Sequence, residues 1–360
     1  MTTKPPSRHL VAGVDTHKRT HHAAVLDANT GRLLADHEFA ATQAGYRKLL
    51  SWMGSHGTVI KAGLEGTGSY GAGLQRYLQA HEITVIEVSR PNRQDRRRQG
   101  KSDPIDAINA ARAVLSESAT TTPKARQGYV EAIRQIRATR RSAVKARRSA
   151  LNQIHGLLGC APERLRAKLS GYDRAALVLR CAQLRIPKDA ALDDPTINAR
   201  RMLRRLAKRI QMLDEEIAEA NEELDELLTR HAPNLLSING VGTEAAGQIL
   251  TTAGQNIDRL KSEASLARLC GVAPIPASSG NTTRHRLHRG GDRDANSAIH
   301  LIIINRLRWH DPTKRYLDRR TEQGKSKKEV IRCLKRAVVR ELYRALQADL
   351  NPPLDVLDAA

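Results

Sequence analysis

The chain has 360 residues, enough for two or three domains and a sizeable buried core. Its 60 Lys and Arg against 38 Asp and Glu leave a formal net charge of +22, the signature of a protein with a polyanionic partner. One Phe, two Trp and seven Tyr are too few to stack single-stranded bases, and no apolar run approaches the roughly 18 residues of a transmembrane helix; duplex, structured RNA or backbone binding is expected, and a membrane partner is not.

Residues 9 to about 115 alternate strands and helices. Leu10–Val14, His22–Asp27 and Arg32–Phe39 read as strands with a turn at Asn29-Thr30-Gly31, followed by a helix near Tyr46–Met53. A further strand ends at Glu65, a helix covers Tyr70–Ala80, Ile83–Val88 is a strand, and Ser102-Asp103-Pro104 opens a helix with Asp103 as N-cap and Pro104 in its first position. The order β-β-β-α-β-α-β-α is that of an RNase H-like fold, whose mixed sheet gathers strand ends and helix starts at one edge.

Four acids occupy such positions. Asp15 interrupts the apolar run Leu10–Val14, Glu65 closes Val59–Leu64, and Asp103 and Asp106 share one face of the helix start. Singly, an Asp at a strand end is a turn residue and an Asp-Pro pair a helix start. Together, four clustered carboxylates repel one another unless cations sit among them, and hard Mg²⁺, or Mn²⁺, takes such oxygen ligands. Two such ions clamp the attacking and leaving oxygens of a phosphoryl displacement.

The basic charge is clustered. Arg90–Lys101 holds six basic residues, among them Arg96, Arg97 and Arg98, against Asp95 alone. Lys124–Arg209 holds 22 Lys and Arg against 6 Asp and Glu, and Ser279–Arg340 holds 17 against 6. Arg126–Leu158 reads as a basic helix carrying Arg140, Arg141, Arg147 and Arg148. Leu203, Leu206, Ile210, Leu213, Ile217, Ala220, Leu224 and Leu227 alternate spacings of 3 and 4, a heptad seam expected to form a coiled coil. These two helices pair antiparallel within one chain or build a dimer, and the stretch between them, with Pro162, Pro187 and Pro195, reads as a linker or insertion.

A last, mostly helical region starts near Pro233. Leu235–Ala246 has the pattern of a helix-hairpin-helix around Gly240-Val241-Gly242, whose turn lets backbone N–H groups approach a phosphate. Gly271-Val272-Ala273-Pro274 and Ser278-Ser279-Gly280 follow, then a basic stretch with Arg284, Arg286 and Arg289. The expected division is 1–122 for the α/β domain, 123–232 for the basic helical region, 233–350 for the C-terminal domain and 351–360 for a tail. Cys160, Cys181, Cys270 and Cys333 make no Cys-x-x-Cys pair, so a reducing cytoplasm is expected.

Gly13-Val14-Asp15 with Lys18, Glu65–Tyr70 and Lys101–Ala107 resemble the DEDD motifs of insertion-sequence transposases related to the Piv DNA invertases, several of which are guided by a bridge RNA. Gly240-Val241-Gly242, Gly271-Val272-Ala273-Pro274 and Ser278-Ser279-Gly280 resemble the C-terminal transposase domain of the same family. The resemblance implies a RuvC-like N-terminal domain, catalytic and metal-binding roles for Asp15, Glu65, Asp103 and Asp106, and a nucleophilic serine at Ser279. It also implies donor and target DNA, a bridge RNA and a homo-oligomer as partners, with action on the bacterial nucleoid. Two rivals are a RuvC-like nuclease that activates water, with Ser279 structural, and a non-catalytic RNA-binding coiled-coil protein.

Overall fold

The computed structural model describes residues 8–88, 102–187, 191–280, 285–288 and 290–351. The chain divides into two compact units, residues 1–128 with 253–265 and residues 129–252 with 266–360.

The first unit is built on a five-stranded sheet in the order β3-β2-β1-β4-β5, formed by β1 (His9–Thr16), β2 (Thr20–Asp27), β3 (Leu33–Ala40), β4 (Thr58–Leu64) and β5 (Thr84–Glu87). The first three strands are an antiparallel meander, and β4 and β5 run parallel to β1 and to each other. The parallel pairings require crossovers. Helices α1 (Gln43–His56) and α2 (Ala72–Gln79) precede β4 and β5, and α3 (Asp103–Leu115) follows them. Alternation sorts the core. Ala12, Val14, Ala23, Val25, Ala62, Leu64 and Val85 pack with Leu49, Met53, Leu74 and Leu78 of α1 and α2. Val11, Leu26, Ile86 and Val88 pack with Ala110, Ala111 and Val114 of α3 on the opposite face.

The seat of α3 is a pair of glycines. Gly13 of β1 lies opposite Gly63 of β4 in the parallel register. A Cβ on Gly13 would fall 2.1 Å from Ala107 O, and one on Gly63 2.7 Å from Val114 Cγ2 and 2.8 Å from Ala110 O. Only missing side chains let the helix approach so closely. Gly13→Ala therefore forces α3 off the sheet and should destabilise the unit by about 1–3 kcal/mol or more, read as a lower denaturant midpoint at an unchanged slope. An unchanged midpoint would show that α3 does not rest on this strand.

Asn256, brought back from far along the chain, ties down the stretch after α3: its Oδ1 accepts from Ala125 N at 2.9 Å and its Nδ2 donates to Pro123 O at 2.9 Å. Residues 253–265 thus complete the first unit, an addition that the expected boundary at 122 did not include.

The second unit is mostly helical. Its long helices α4 (Gly128–Gly159) and α7 (Pro195–His231) lie antiparallel within one chain, as the successive pairs Tyr129 with His231, Arg140 with Asn221 and Arg147 with Asp214 show. Leu203, Ile210, Ala220 and Leu224 of the heptad seam are buried, and Ala207 and Leu228 join them, while Leu206, Leu213, Ile217 and Leu227 are only partly buried. The interval expected to be a linker or insertion contains α5 (Glu163–Leu169) and α6 (Arg174–Ala182), which a bare linker would not. Leu165, Leu169, Leu177, Val178 and Cys181 bury themselves among Leu151, Ile154, Leu203 and Ile210, so the segment is part of the core.

After α7 come α8 (Pro233–Leu236), α9 (Thr243–Ala253), α10 (Glu263–Leu269), a hairpin of β6 (Pro274–Pro276) and β7 (His285–Leu287), and then α11 (Arg293–Trp309), α12 (Asp311–Glu322) and α13 (Lys327–Leu350). The Gly240 turn between α8 and α9 adopts φ +81°, and Arg306 of α11 donates from Nε to Asn239 O at 2.7 Å while its guanidinium pairs with Glu341. Among the described residues, no helix is long and apolar enough to cross a membrane.

Candidate metal centre

Asp15 and Glu65 stand two residues beyond the Gly13–Gly63 pair, so alternation directs both to the face covered by α3. Glu65 N donates to Val14 O at 3.1 Å and Thr16 Oγ1 donates to Glu65 O at 2.8 Å, which holds the two strand ends side by side. Because α3 sits on the glycines with its N-terminus toward the same edge, its first turn supplies Asp103 and Asp106. Asp15, Glu65 and Asp106 are buried, whereas Asp103 is partly exposed. The helix begins one residue earlier than expected: Ser102, extended at φ −148°, is the N-cap and Asp103 is the first helical residue. The shift leaves the two acids three apart on one face.

His17 completes the cluster. It follows the last residue of β1, and its Nε2 lies 3.0 Å from Asp15 Oδ2 and 3.4 Å from Asp103 Oδ1. One ligand atom from each of Asp15, His17 and Asp103 fits within 4.8 Å. The electrostatics suit a cation. Burial raises the Asp15 carboxyl above its ordinary value and the charges of Asp103 and Asp106 push the same way, while His17 pulls it down. Two oxygens and a nitrogen, beside a further buried carboxylate on the same helix turn, are a donor set for a hard or borderline divalent ion.

A raised carboxyl pKa means that the fold binds this proton more tightly than the unfolded chain does. Stability of the metal-stripped protein should therefore fall as pH rises from the ordinary carboxylate range through the folded pKa of Asp15. Asp15→Asn removes that term. At neutral pH in EDTA its melting temperature should exceed that of wild type, and added divalent ion should raise it less than it raises wild type. A variant that melts below wild type in EDTA would contradict the repulsion.

Ser279 belongs to the second unit. It is exposed, three residues beyond β6, and precedes Gly280, which adopts φ +54°. The base of this hairpin is tightly held: a Cβ on Gly291 would fall 2.2 Å from Gly271 N, and Asn296 Nδ2 donates to Gly271 O at 2.9 Å. Arg286 lies exposed on β7, paired in register with Ile275. The other expected phosphate ligands divide. Arg148 is exposed, but Arg140 pairs with Glu244 at 3.2 Å, Arg141 with Asp294 at 2.8 Å, and Arg147 with Asp214. Arg96, Arg97, Arg98, Arg284 and Arg289 lie outside the described residues.

The α/β sheet thus collects acids from two strand ends and one helix start at one edge. Residues 12–161 match a family model described as Transposase, of the DEDD IS110 type, and residues 232–318 match one described as Transposase IS116/IS110/IS902 family. Two separate stretches of the chain are thus similar to transposase domains of the IS110/IS116/IS902 family. It is 29% identical over 146 residues to the insertion element IS900 uncharacterized 42 kDa protein of Mycobacterium paratuberculosis, covering 40% of this chain and 37% of that protein. It is 30% identical over 146 residues to the insertion element IS110 uncharacterized 43.6 kDa protein of Streptomyces coelicolor, covering 39% and 36%. The matched stretch thus spans little more than a third of either relative.

Proposed function

We propose that this protein is an insertion-sequence recombinase that cuts and rejoins DNA by serine transesterification. The carrying observation is the convergence of Asp15, Asp103 and Asp106 beside the Glu65 strand end, on a chain matched to DEDD transposases. The strand order β3-β2-β1-β4-β5 supports an RNase H-like, RuvC-related fold for the domain that presents them. Asp15, Glu65, Asp103 and Asp106 hold Mg²⁺, or Mn²⁺, which when bound lowers the pKa of a coordinated hydroxyl and neutralises charge on the phosphate.

Ser279 Oγ attacks phosphorus, its proton leaves to a base, the bond to the leaving oxygen breaks, and that oxygen takes up a proton. The product is a phosphoserine ester and a strand with a hydroxyl end. The ester conserves bond energy, so a second hydroxyl can reverse the step on a new partner without ATP. Arg284, Arg286 and Arg289, near Ser279 in sequence, neutralise phosphates, as do Arg96–Arg98, Arg140, Arg141, Arg147 and Arg148. Exposed ion pairs such as Arg141–Asp294 are worth little in water and can exchange for phosphate. Such basic side chains, in a chain poor in aromatic residues, suit donor and target duplexes and a structured bridge RNA whose base pairing carries the specificity. The chain acts as a homo-oligomer on DNA, with the 123–232 helices and the 233–350 region as separate working parts.

The test is strand transfer between duplexes bearing the element's ends and a target, with and without RNA transcribed from the flanking DNA. Joined products that require divalent ion support the reading. Hydrolysed ends alone would favour a metal-dependent nuclease, and nucleic-acid binding with no cleavage a non-catalytic coiled-coil protein.

A further inference from the structure

We propose that His17 is a direct ligand of the ion held by the acids and that its nitrogen sets the site's preference for Mn²⁺ over Mg²⁺; this rests on the reading of the acids as a metal site. Three observations carry it. First, His17 directly follows Thr16, the last residue of β1, and its ring reaches both Asp15 on that strand and Asp103 at the start of α3. The β1–β2 turn fixes that position, since His17 N donates to Thr20 O at 3.0 Å.

Second, the spacings, which without an ion are those of a His17–Asp15 hydrogen bond, also let the three donors share one ion. Ligands at about 2.1 Å from an octahedral ion lie about 3.0 Å apart when adjacent and about 4.2 Å apart when opposite. His17 Nε2 is 3.0 Å from Asp15 Oδ2 and 3.4 Å from Asp103 Oδ1, and the three donor atoms fall within 4.8 Å. Third, His17 and Asp103 are partly exposed while Asp15 is buried. An ion bound by these residues would be open to solvent on the His17 and Asp103 side, where water and phosphate oxygens can supply further ligands.

The consequence is chemical. Mg²⁺ is hard, prefers oxygen and gives up water reluctantly, whereas Mn²⁺ accepts imidazole nitrogen at little cost. An all-carboxylate site would discriminate weakly between them. With His17 among the ligands, Mn²⁺ gains an interaction that Mg²⁺ uses poorly.

The experiment is Mn²⁺ binding to the full-length protein, followed by electron paramagnetic resonance, with Mg²⁺ as competitor. Wild type, His17→Ala, His17→Gln and Asp15→Asn are compared, and thermal melts confirm that each is folded. Wild type should bind Mn²⁺ with electron spin-echo modulation from a directly coordinated ¹⁴N. Both His17 variants should lose that modulation, and the Mg²⁺ concentration needed to displace Mn²⁺ should fall by about tenfold or more. Wild-type Mn²⁺ binding without ¹⁴N modulation, or an unchanged competition ratio in both His17 variants, would overturn the ligand role and leave the acidic site standing. Mn²⁺ binding that is absent in wild type, or undiminished in Asp15→Asn, would instead remove the metal-site reading and this inference with it.

Discussion

Asp106→Asn should lower metal-dependent strand cleavage by about 10³-fold or more, the equivalent of roughly 4 kcal/mol of barrier. The expectation follows from where the carboxylate sits. Asp106 is buried in the first turn of α3, close enough to Asp15 for its charge to raise that carboxyl. Asn keeps the volume, so the helix stays on its glycine seat, but it loses the charge that balances a divalent ion. Affinity for duplex DNA should change by less than about threefold, since basic side chains elsewhere carry the phosphate contacts. Single-turnover cleavage beside filter binding separates the two effects. A rate within tenfold of wild type would exclude Asp106 from the chemistry, and a parallel loss of DNA affinity would assign the defect to binding.

Ser279→Ala carries the second large effect. The side chain is exposed on the hairpin loop, so its removal should leave stability within about 0.5 kcal/mol of wild type. Covalent protein–DNA product should nevertheless vanish, with strand joining reduced by about 10³-fold or more, because alanine offers no oxygen to form the ester. Ser278→Ala is the control that keeps the adduct. Loss of the adduct in Ser278→Ala with retention in Ser279→Ala would move the nucleophile by one residue. Retention in both would leave hydrolysis by activated water as the mechanism.

The acids were legible because strand ends and helix starts announce themselves in sequence. An apolar run that stops at Asp15 or Glu65, and a Ser-Asp-Pro opening, need no tertiary information. The order of strands and helices in the first unit followed from the same punctuation. The helix start missed by one residue because Asp103 and Ser102 are both good caps and only backbone geometry separates them.

What escaped depends on contacts between distant residues. His17 carries no mark of its own, since its ring meets Asp15 and Asp103 together only in the folded chain. Gly13 and Gly63 looked like ordinary strand residues until their register placed them opposite each other. The pairing of Arg140, Arg141 and Arg147 with acids up to 153 residues away is invisible to a count of basic charge. So is the return of Asn256 to the first unit. The 160–197 interval was read from its prolines, whereas its leucines at helical spacing decided its structure.

In the proposed reaction the acids of one unit and the serine of the other act together. The most direct measurement of this is covalent trapping: wild-type protein, end-bearing duplexes, flanking RNA and Mg²⁺ or Mn²⁺, quenched in denaturant and analysed by peptide mass spectrometry. The expected result is a DNA-linked peptide modified at Ser279, formed only with divalent ion and missing in Asp15→Asn. Cleaved DNA with hydroxyl and phosphate ends and no linked peptide, persisting in Ser279→Ala, would contradict it.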